Sequence, residues 1–284
     1  MSSGSTEPTS ASITSPSQLQ PIPPLAANAA LDLLSDHRVA LGLSRGSREP
    51  ADRGWETFGY FDSEDPKAAN MARTKFATFM SAIRGEELAP ADPMQFGSGK
   101  KLRVEPHSTG LDQGIWWGAG TAATAEWTAA EGVNMMSSTL LTEATGASFG
   151  RLQRQQIDPY RAAWKAARHD RTPRVCVSRI IFPITTNLDD LYFGRRFEGG
   201  GDQIGIIDGA RSTFATPHAG EPDELIEAPR ADPAVEAADT VLLTIPSQLG
   251  VDYNLHILES FASHVAPALG WEPNTAGPVT GTGE

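Results

Sequence analysis

Residues 115–139 read IWWGAGTAATAEWTAAEGVNMMSST, and this stretch contains the pattern that decides the fold. The bulky apolar run IWWGA (115–119) meets Gly120 and Thr121, and an alanine-rich segment then extends to Gly132, ahead of a second apolar run. Short apolar runs without polar alternation are typical of parallel strands that helices cover on both faces. The stretch therefore predicts a strand, a turn, a helix and a second strand.

The same alternation continues on both sides of this stretch. Further helices are predicted at Leu25–Leu34, 66–84, 149–168 and Tyr253–Leu269, and further strands at 38–44, Leu102–Glu105, 174–184 and 240–246. Such an order of βα units indicates an α/β fold, either a doubly wound sheet or a barrel. In both architectures, ligands bind at the carboxyl ends of the strands.

Composition narrows the class of protein. The 284 residues carry a formal charge of −12, and 39% of them are hydrophobic, which is enough for a sizeable core. An acidic surface argues against nucleic acid as a partner. The sequence has neither a membrane-spanning apolar run nor the features of a signal peptide, so we expect a soluble cytoplasmic protein.

Three segments are predicted along the chain. Residues 1–18 are rich in Ser, Thr and Pro and bury too little apolar surface to fold, so we expect a disordered tail. Residues 19–271 form the predicted α/β domain, and 272–284 form a second disordered tail.

The turn after IWWGA has the features of an anion site. Gly118 and Gly120 allow close approach of the backbone, and Thr121 is a good N-cap for the helix that follows. Free N–H groups and the positive end of the helix dipole attract anions there, and Thr124 adds a hydroxyl one turn on. Taken alone, the same residues are more typical of an ordinary capped β-to-α turn than of an anion site.

Other strand ends carry further polar candidates. Arg45 follows the strand at 38–44 and is suited to binding a phosphate, or to pairing with a carboxylate on the surface. Ser137 and Ser138 follow GVNMM, where their hydroxyls can bond a ring, bond a phosphate or cap the next segment. Gln248 and Asn254 follow the last strand and suit a polar ligand or loop bonding.

The histidines and the cysteine show no pattern typical of a metal site or of a catalytic nucleophile. His256 and His264 are eight residues apart, which is too far for the pairing of a zinc helix, so we interpret the histidines as structural or solvated and expect no metal. Cys176 is the single cysteine and lies in an apolar run, which predicts a buried thiol. No residue is assigned as a catalytic base.

Three stretches together resemble the luciferase-like flavin-dependent monooxygenases. They are RVALGLSRGS (38–47), the stretch 115–139 and VLLTIPSQLGVDYN (241–254), and the resemblance extends over about residues 19–271. It implies a (β/α)8 TIM-barrel fold that binds reduced FMN, or the deazaflavin F420 in some branches, at the carboxyl ends of the strands.

The resemblance also implies site residues. Arg45 matches an Arg-Gly that holds the flavin phosphate, and Thr121 and Thr124 match the turn that adds further phosphate contacts. Gly120 departs from the family, where a carboxylate is usual. Ser137 and Ser138 fall near the position expected for the flavin ring.

The front of the sequence departs from the family pattern. Upstream of residue 19 only a tail is predicted, whereas the family has roughly two and a half further βα units, so the expected fold is an N-terminally truncated, incomplete barrel. Three explanations remain open: a shortened gene or misplaced start, a partial barrel completed in a homodimer, or a non-catalytic binder.

The resemblance implies a flavin-dependent oxidoreductase. The main interpretation is a monooxygenase that uses reduced FMN, supplied by a flavin reductase, and O2 on a small organic substrate. The alternatives are an F420-dependent hydride-transfer oxidoreductase on the same fold and a non-catalytic flavin-binding or structural paralogue.

Overall fold

The computed structural model describes residues 9–13, 23–44, 69–194, 201–207 and 210–273. Two compact units divide the chain, with the boundary between Gly118 and Ala119, and the second unit extends to Pro273.

The first unit combines parallel strands with two long helices. Strand β2 pairs in parallel with both β1 and β5, while β3 and β4 form a small antiparallel pair. The strands are β1 (Thr9–Ile13), β2 (Val39–Leu43), β3 (Ala89–Pro90), β4 (Lys101–Leu102) and β5 (Ile115–Ala119), and the helices are α1 (Pro23–Leu34), α2 (Ala69–Ile83) and α3 (Pro93–Phe96).

The core of the first unit lies between helix α2 and strands β2 and β5. Phe76 and Trp117 meet edge to face with ring centroids 4.9 Å apart, and both side chains are buried. Burying a large apolar side chain stabilises the fold by roughly 1.5–3 kcal/mol. Gly114 has no side chain because a Cβ there would lie 2.5 Å from the Val39 carbonyl oxygen.

One segment of the predicted N-terminal tail differs from expectation. Residues 1–18 were assigned to a disordered tail because they are poor in apolar side chains, yet Thr9–Ile13 form strand β1. The pairing with β2 runs in register from Thr9 opposite Val39 to Ile13 opposite Leu43. Backbone hydrogen bonding to the edge of a strand does not depend on apolar content, which explains the difference.

The second unit contains the larger set of elements. Strand β8 pairs in parallel with both β6 and β13, β9 pairs in parallel with β12, and β11 pairs antiparallel with β10 and β7. The strands are β6 (Asn134–Ser137), β7 (Leu140–Leu141), β8 (Val175–Arg179), β9 (Ile181–Pro183), β10 (Gln203–Ile207), β11 (Ala210–Phe214), β12 (His218–Gly220) and β13 (Thr240–Leu243). The helices are α4 (Ala122–Ala130), α5 (Phe149–Ala167), α6 (Asn187–Asp189), α7 (Pro222–Arg230), α8 (Pro233–Ala237) and α9 (Gly250–Ser260).

Two predicted elements of this unit are interrupted. The strand expected at 174–184 divides into β8 and β9 around Ile180. The closing helix begins at Gly250, continues beyond Ser260 as a π-helical turn (Phe261–Val265) and ends in the 3-10 turn Pro267–Leu269. Pro267 has no N–H to donate to the preceding turn, so an α-helix cannot continue unchanged through it.

Small residues on α4 form the centre of the second unit's core. Ala125 and Ala129 are fully buried, in the same cluster as Ile157 and Tyr160 of α5. Their size lets the helices approach closely. The Tyr160 hydroxyl is buried and donates to the Val133 carbonyl at 2.9 Å, so this polar group is satisfied in the interior.

Helix α4 ends at the glycine that the sequence indicated. Gly132 has φ +71°, and the Val133 N–H bonds back to the Thr128 carbonyl at 3.2 Å, a pattern typical of a left-handed helix terminus. A Cβ on Gly132 would also lie 3.0 Å from the ring of His169. Both the conformation and the space require glycine there.

The parallel direction of β6, β8 and β13 brings their carboxyl ends to one edge of this unit. Cys176 is buried in β8, as predicted, and burial raises the pKa of its thiol to about 12. Among the described residues, no helix combines the length and apolarity that crossing a membrane requires.

Candidate functional site

The turn that leads into α4 is capped by the predicted residue. Thr121 has extended backbone angles, and its hydroxyl oxygen accepts from the Thr124 N–H at 3.2 Å. The same hydroxyl donates to Thr124 Oγ1 at 3.0 Å, so Thr124 keeps its own hydroxyl hydrogen for another acceptor. The predicted N-cap is therefore confirmed.

Gly120 lies directly against Thr142. Both the Thr142 N–H and the Thr142 hydroxyl donate to the Gly120 carbonyl, at 3.0 and 3.1 Å. A Cβ on Gly120 would lie 3.3 Å from Thr142 Oγ1, a tight contact. The sequence predicted close approach at Gly120 as part of an anion site, whereas the contact in the structure is with the chain's own segment after β7.

A carboxylate lies at the N-terminus of α4. Glu143 Oε1 accepts from the Ala122 N–H at 3.1 Å, across 21 residues of sequence. A negative charge is favourable at this end of the helix dipole. The sequence offered no signal for this contact because it depends on how the segment after β7 returns to the turn.

Two donors remain for an external anion at this helix end. The Ala123 N–H makes no hydrogen bond within the part of the chain that the structure describes, and Ala123 is exposed. The Thr124 hydroxyl hydrogen is the second donor, and Thr124 is half-buried. Together they can bind one or two oxygens of a phosphate or sulfate group.

The two candidate serines differ in accessibility. Ser137 is fully buried, and its hydroxyl donates to Gln156 Oε1 at 3.0 Å. Ser138 is exposed. The Gln153 amide nitrogen donates to both serine carbonyls, at 3.2 and 3.0 Å, and so fixes the backbone at the end of β6. Only the Ser138 hydroxyl is open to a ligand.

An ion pair between a buried arginine and a half-buried aspartate supports this strand end. Arg179, the last residue of β8, is buried and bonds Asp232 Oδ2 through Nε and Nη2, at 2.9 and 2.6 Å. Its Nη1 also donates to Gln153 Oε1. Asp232 in turn accepts from the Ala234 N–H at 2.8 Å, capping α8. The network links the ends of β6 and β8 to two helices.

A second polar cluster surrounds Asp189 beyond β9. Its carboxylate is almost fully buried and accepts from the Thr185 and Thr186 N–H groups, at 3.0 and 2.8 Å, and from the Tyr253 hydroxyl. His256 Nε2 donates to it at 2.9 Å. Burial alone would raise the pKa of this carboxyl, but the hydrogen bonds from these groups outweigh it and hold the pKa well below its usual range.

The sequence signal for this second cluster was only partial. Thr186 and Asp189 form a capping box, a spacing visible in the sequence. The partners on α9 are 64 and 67 residues away, and no local pattern joins them to Asp189. The expectation that His256 is structural or solvated fits its half-buried position against this carboxylate.

Three other candidates remain, and neither of the two that the structure describes, Gln248 and Asn254, has a hydrogen bond to the turn. Arg45 lies outside the described residues, so its role remains a prediction. Gln248 is exposed in the 3-10 turn Ser247–Leu249. Asn254 Oδ1 is buried and has no hydrogen-bond partner in the described part of the chain.

Comparison with known proteins identifies the fold. No family model matches the chain, and no curated protein sequence matches it. The monooxygenase RslO1 from Streptomyces bottropensis shares the fold, with a TM-score of 0.58 and 17% identity over 90% of this chain and 76% of that one.

Two further solved structures share the fold and differ in their cofactors. The 3,6-diketocamphane monooxygenase of Pseudomonas putida, solved with FMN, aligns with a TM-score of 0.57 and 15% identity over 90% of this chain and 79% of that one. The F420-dependent tetrahydromethanopterin reductase of Methanopyrus kandleri aligns with a TM-score of 0.54 and 14% identity over 91% and 82%.

These similarities confirm the predicted fold class. The structural neighbours are luciferase-like flavin monooxygenases and F420-dependent enzymes, as the sequence resemblance implied. Six strands in the described residues (β1, β2, β5, β6, β8 and β13) pair in parallel with a neighbour in the manner of an incomplete TIM barrel.

Proposed function

We propose that a chain with this fold and this capped turn is a flavin-dependent oxidoreductase, acting as a monooxygenase with reduced FMN and O2 on a small organic substrate. One observation carries the proposal: Thr121 and Thr124 begin a helix whose end retains free donors, within a fold shared with an FMN-bound monooxygenase. A helix N-terminus of this kind suits the phosphate of a flavin mononucleotide.

Some residues of the chain would bind the phosphate of the cofactor directly, and others would position them. The Ala123 N–H and the Thr124 hydroxyl would donate to the phosphate, with Thr121 and Gly120 fixing the turn that presents them. Arg45 is proposed as a further phosphate ligand. When bound, the flavin supplies the redox chemistry, while the protein orients it and excludes water.

Ser137 and Ser138 would contribute in different ways. The Ser138 hydroxyl is exposed and suits a polar edge of the flavin ring, whereas Ser137 would act through the backbone because its hydroxyl bonds Gln156. Gln153 and Arg179 would hold that backbone in place.

A second candidate is F420-dependent hydride transfer on the same scaffold. The position of Glu143 favours F420. A carboxylate beside the Ala122 N–H disfavours a doubly charged phosphomonoester such as that of FMN, whereas the phosphate of F420 is a singly charged diester. An F420-dependent reductase is also among the structures of this fold. The monooxygenase proposal further includes a flavin reductase that supplies reduced FMN, a cytoplasmic location, a homodimer and a single barrel domain over 19–271.

Binding is the first test. The purified protein would be titrated with FMN and F420, each oxidised and reduced, by fluorescence and calorimetry. We expect one cofactor to bind, and we expect Arg45→Ala and Thr124→Val to weaken that binding. If neither cofactor binds, the proposed flavin site is wrong. If only Arg45→Ala binds as tightly as wild type, Arg45 alone is removed from the site.

Turnover separates the three classes of function. A monooxygenase consumes O2 when reduced FMN and a substrate are present, whereas an F420-dependent enzyme changes the deazaflavin absorbance without needing O2. A non-catalytic binder holds the cofactor and does neither. Assays under air and under argon, with a panel of small organic substrates, distinguish these outcomes.

A further inference from the structure

We propose that His256, together with Tyr192 and Tyr253, binds a neutral phenol whose hydroxyl donates to His256 Nδ1. This site uses other residues than the proposed cofactor site and does not depend on a bound flavin. Its two parts follow β9 and β13, so they lie beyond the carboxyl ends of strands, where α/β folds bind their ligands.

The Asp189 carboxylate determines which nitrogen of the His256 ring carries the hydrogen. The pKa of Asp189 is held well below its usual range, so the carboxylate is ionised and only accepts hydrogen bonds. His256 Nε2 lies 2.9 and 3.1 Å from its two oxygens. Nε2 is therefore a donor, and in the neutral ring Nδ1 keeps a lone pair.

His256 Nδ1 is the acceptor that this cluster leaves for a ligand. The backbone of Thr185 and Thr186 and the Tyr253 hydroxyl all donate to Asp189, so their hydrogens are taken. Nδ1 itself makes no hydrogen bond within the part of the chain that the structure describes. The exposed fraction of the His256 side chain is 34%, which leaves the ring open to solvent. The group that fits Nδ1 is a hydrogen-bond donor.

The aromatic side chains beside His256 indicate what carries that donor. Tyr192 is exposed in the π-helical turn Asp190–Gly194, and its ring meets the Tyr253 ring edge to face at 5.1 Å. The Tyr253 ring in turn lies 5.5 Å from the His256 ring. Because aromatic rings pack favourably against one another, this row of rings suits a planar aromatic ligand.

The charges on the same segments disfavour an anionic ligand. Asp190, Asp252 and Glu259 are exposed carboxylates, and α6, α9 and the two π-helical turns contain no lysine or arginine. A carboxylate or phenolate ligand would be repelled. Attraction of a cation to exposed carboxylates is weakened by salt. A neutral phenol, which brings both an aromatic ring and a donor, therefore fits the site better than either ion.

The alternative is that His256 only attaches α9 to α6. In that case p-cresol and p-methylanisole, which share one ring but differ in having a hydroxyl hydrogen, would bind equally well or not at all. Comparing the two ligands on wild type therefore tests the proposal without any substitution.

Binding would be measured by NMR titration of the His256 ring C–H signals and the α9 amide signals. The probes are p-cresol, p-methylanisole and benzylamine, at an ionic strength of about 0.15 M. The pH is set where added base no longer shifts the His256 ring signals, so that the ring is neutral. p-Cresol is also neutral there, because a phenol hydroxyl has a pKa of about 10.

Two matched substitutions test the role of the ring nitrogen. His256→Lys keeps a donor for Asp189 but has no acceptor for a ligand. His264→Lys is the control, since His264 is exposed in the π-helical turn after α9 and the change is the same. Amide spectra establish that each variant is folded.

We expect wild type to bind p-cresol about fivefold more tightly than p-methylanisole, since one hydrogen bond is added. The ratio of the two dissociation constants should fall to about one in His256→Lys and should keep its wild-type value in His264→Lys. Tyr192→Leu should weaken the binding of both ligands and leave their ratio unchanged, because it removes only a ring contact.

Equal affinities of wild type for p-cresol and p-methylanisole would overturn the proposal, and so would an unchanged ratio in His256→Lys. Tighter binding of benzylamine than of p-cresol would replace the phenol site by a site for cations. If no ligand shifts the His256 ring signals, the site does not exist. None of these measurements uses a flavin, so the phenol site and the proposed function can fail separately.

Discussion

His256 donates from Nε2 to the carboxylate of Asp189 at 2.9 Å, although the two residues are 67 positions apart in the sequence. The contact joins α9 to the capping box at the start of α6. Asp189 is therefore both a local helix cap and the anchor of a distant helix, and replacing it removes both roles at once.

Replacing Asp189 with Asn should make the protein less stable at pH 7 and should make its free energy of unfolding less dependent on pH in the acid range. The pKa of Asp189 is held below its unfolded value, so its contribution is present above an unfolded pKa of about 3.9 and is lost as the pH falls below that value. We expect Asp189→Asn to lose about 2–3 kcal/mol of unfolding free energy at pH 7. Urea denaturation between pH 3 and pH 7 measures both effects.

The control for this prediction is Glu259→Gln, an exposed carboxylate on the same helix α9. It should leave the acid response of wild type intact. A difference between wild type and Asp189→Asn that stays constant from pH 7 down to pH 3 would contradict the assigned linkage.

Two adjacent residues before β2 should respond differently to replacement by glycine. Asp36 and His37 both have positive φ, +57° and +58°, which favours glycine. Asp36 is exposed, so Asp36→Gly should stabilise the protein by about 0.5–1 kcal/mol. His37 bonds the buried Asp32 at 3.0 Å, so His37→Gly should give no net gain. Equal gains from the two changes in thermal or chemical denaturation would show that the bond from His37 to Asp32 contributes nothing, and no gain from Asp36→Gly would show that the positive φ is not strained there.

Replacing each of the two threonines of the turn should affect a different property: Thr121 the stability of the protein and Thr124 its affinity for the cofactor. Thr121→Ala removes the N-cap of α4 and should cost about 1 kcal/mol of unfolding free energy. Thr124→Val keeps the N–H that bonds Thr121, so most of the stability should remain. Its affinity for FMN should fall relative to its affinity for riboflavin. An unchanged ratio of the two dissociation constants would remove Thr124 from the phosphate site.

Gly150 should not tolerate a methyl group. A Cβ there would lie 2.5 Å from Asp232 Oδ1, and Asp232 pairs with the buried Arg179. We expect Gly150→Ala to cost about 2–4 kcal/mol, since it disturbs a buried charge as well as the packing. Gly201→Ala is the control because nothing lies within 4 Å of its Cβ. Equal stability of the two variants in urea would contradict this explanation.

Local patterns predicted the turn and the helix it begins. Thr121 as N-cap and Gly132 as the end of the alanine-rich segment both depend on residues within a short window. Their physics is local, so the order of residues is sufficient to reveal them.

Contacts between distant segments were missed. Glu143 reaches Ala122 only because β7 pairs with β11, and His256 meets Asp189 only after α9 has packed. Ser137 illustrates a related difficulty. Neighbouring residues of a strand point to opposite faces of the sheet. An error of one residue in the predicted strand therefore changes whether the Ser137 hydroxyl is expected to face a ligand or Gln156.

The network around Arg179 should make the second unit unfold cooperatively. Ser137, Gln153 and Arg179 lie in β6, α5 and β8, and Asp232 caps α8. The bonds from Gln153 to Ser137 and from Arg179 to Gln153 are buried, and the bond from Arg179 to Asp232 is half-buried. No one of these elements can detach alone without leaving a charge or an amide unpaired in the interior. Amide hydrogens along β6 and β8 should therefore exchange with solvent together, in a single cooperative event close to global unfolding.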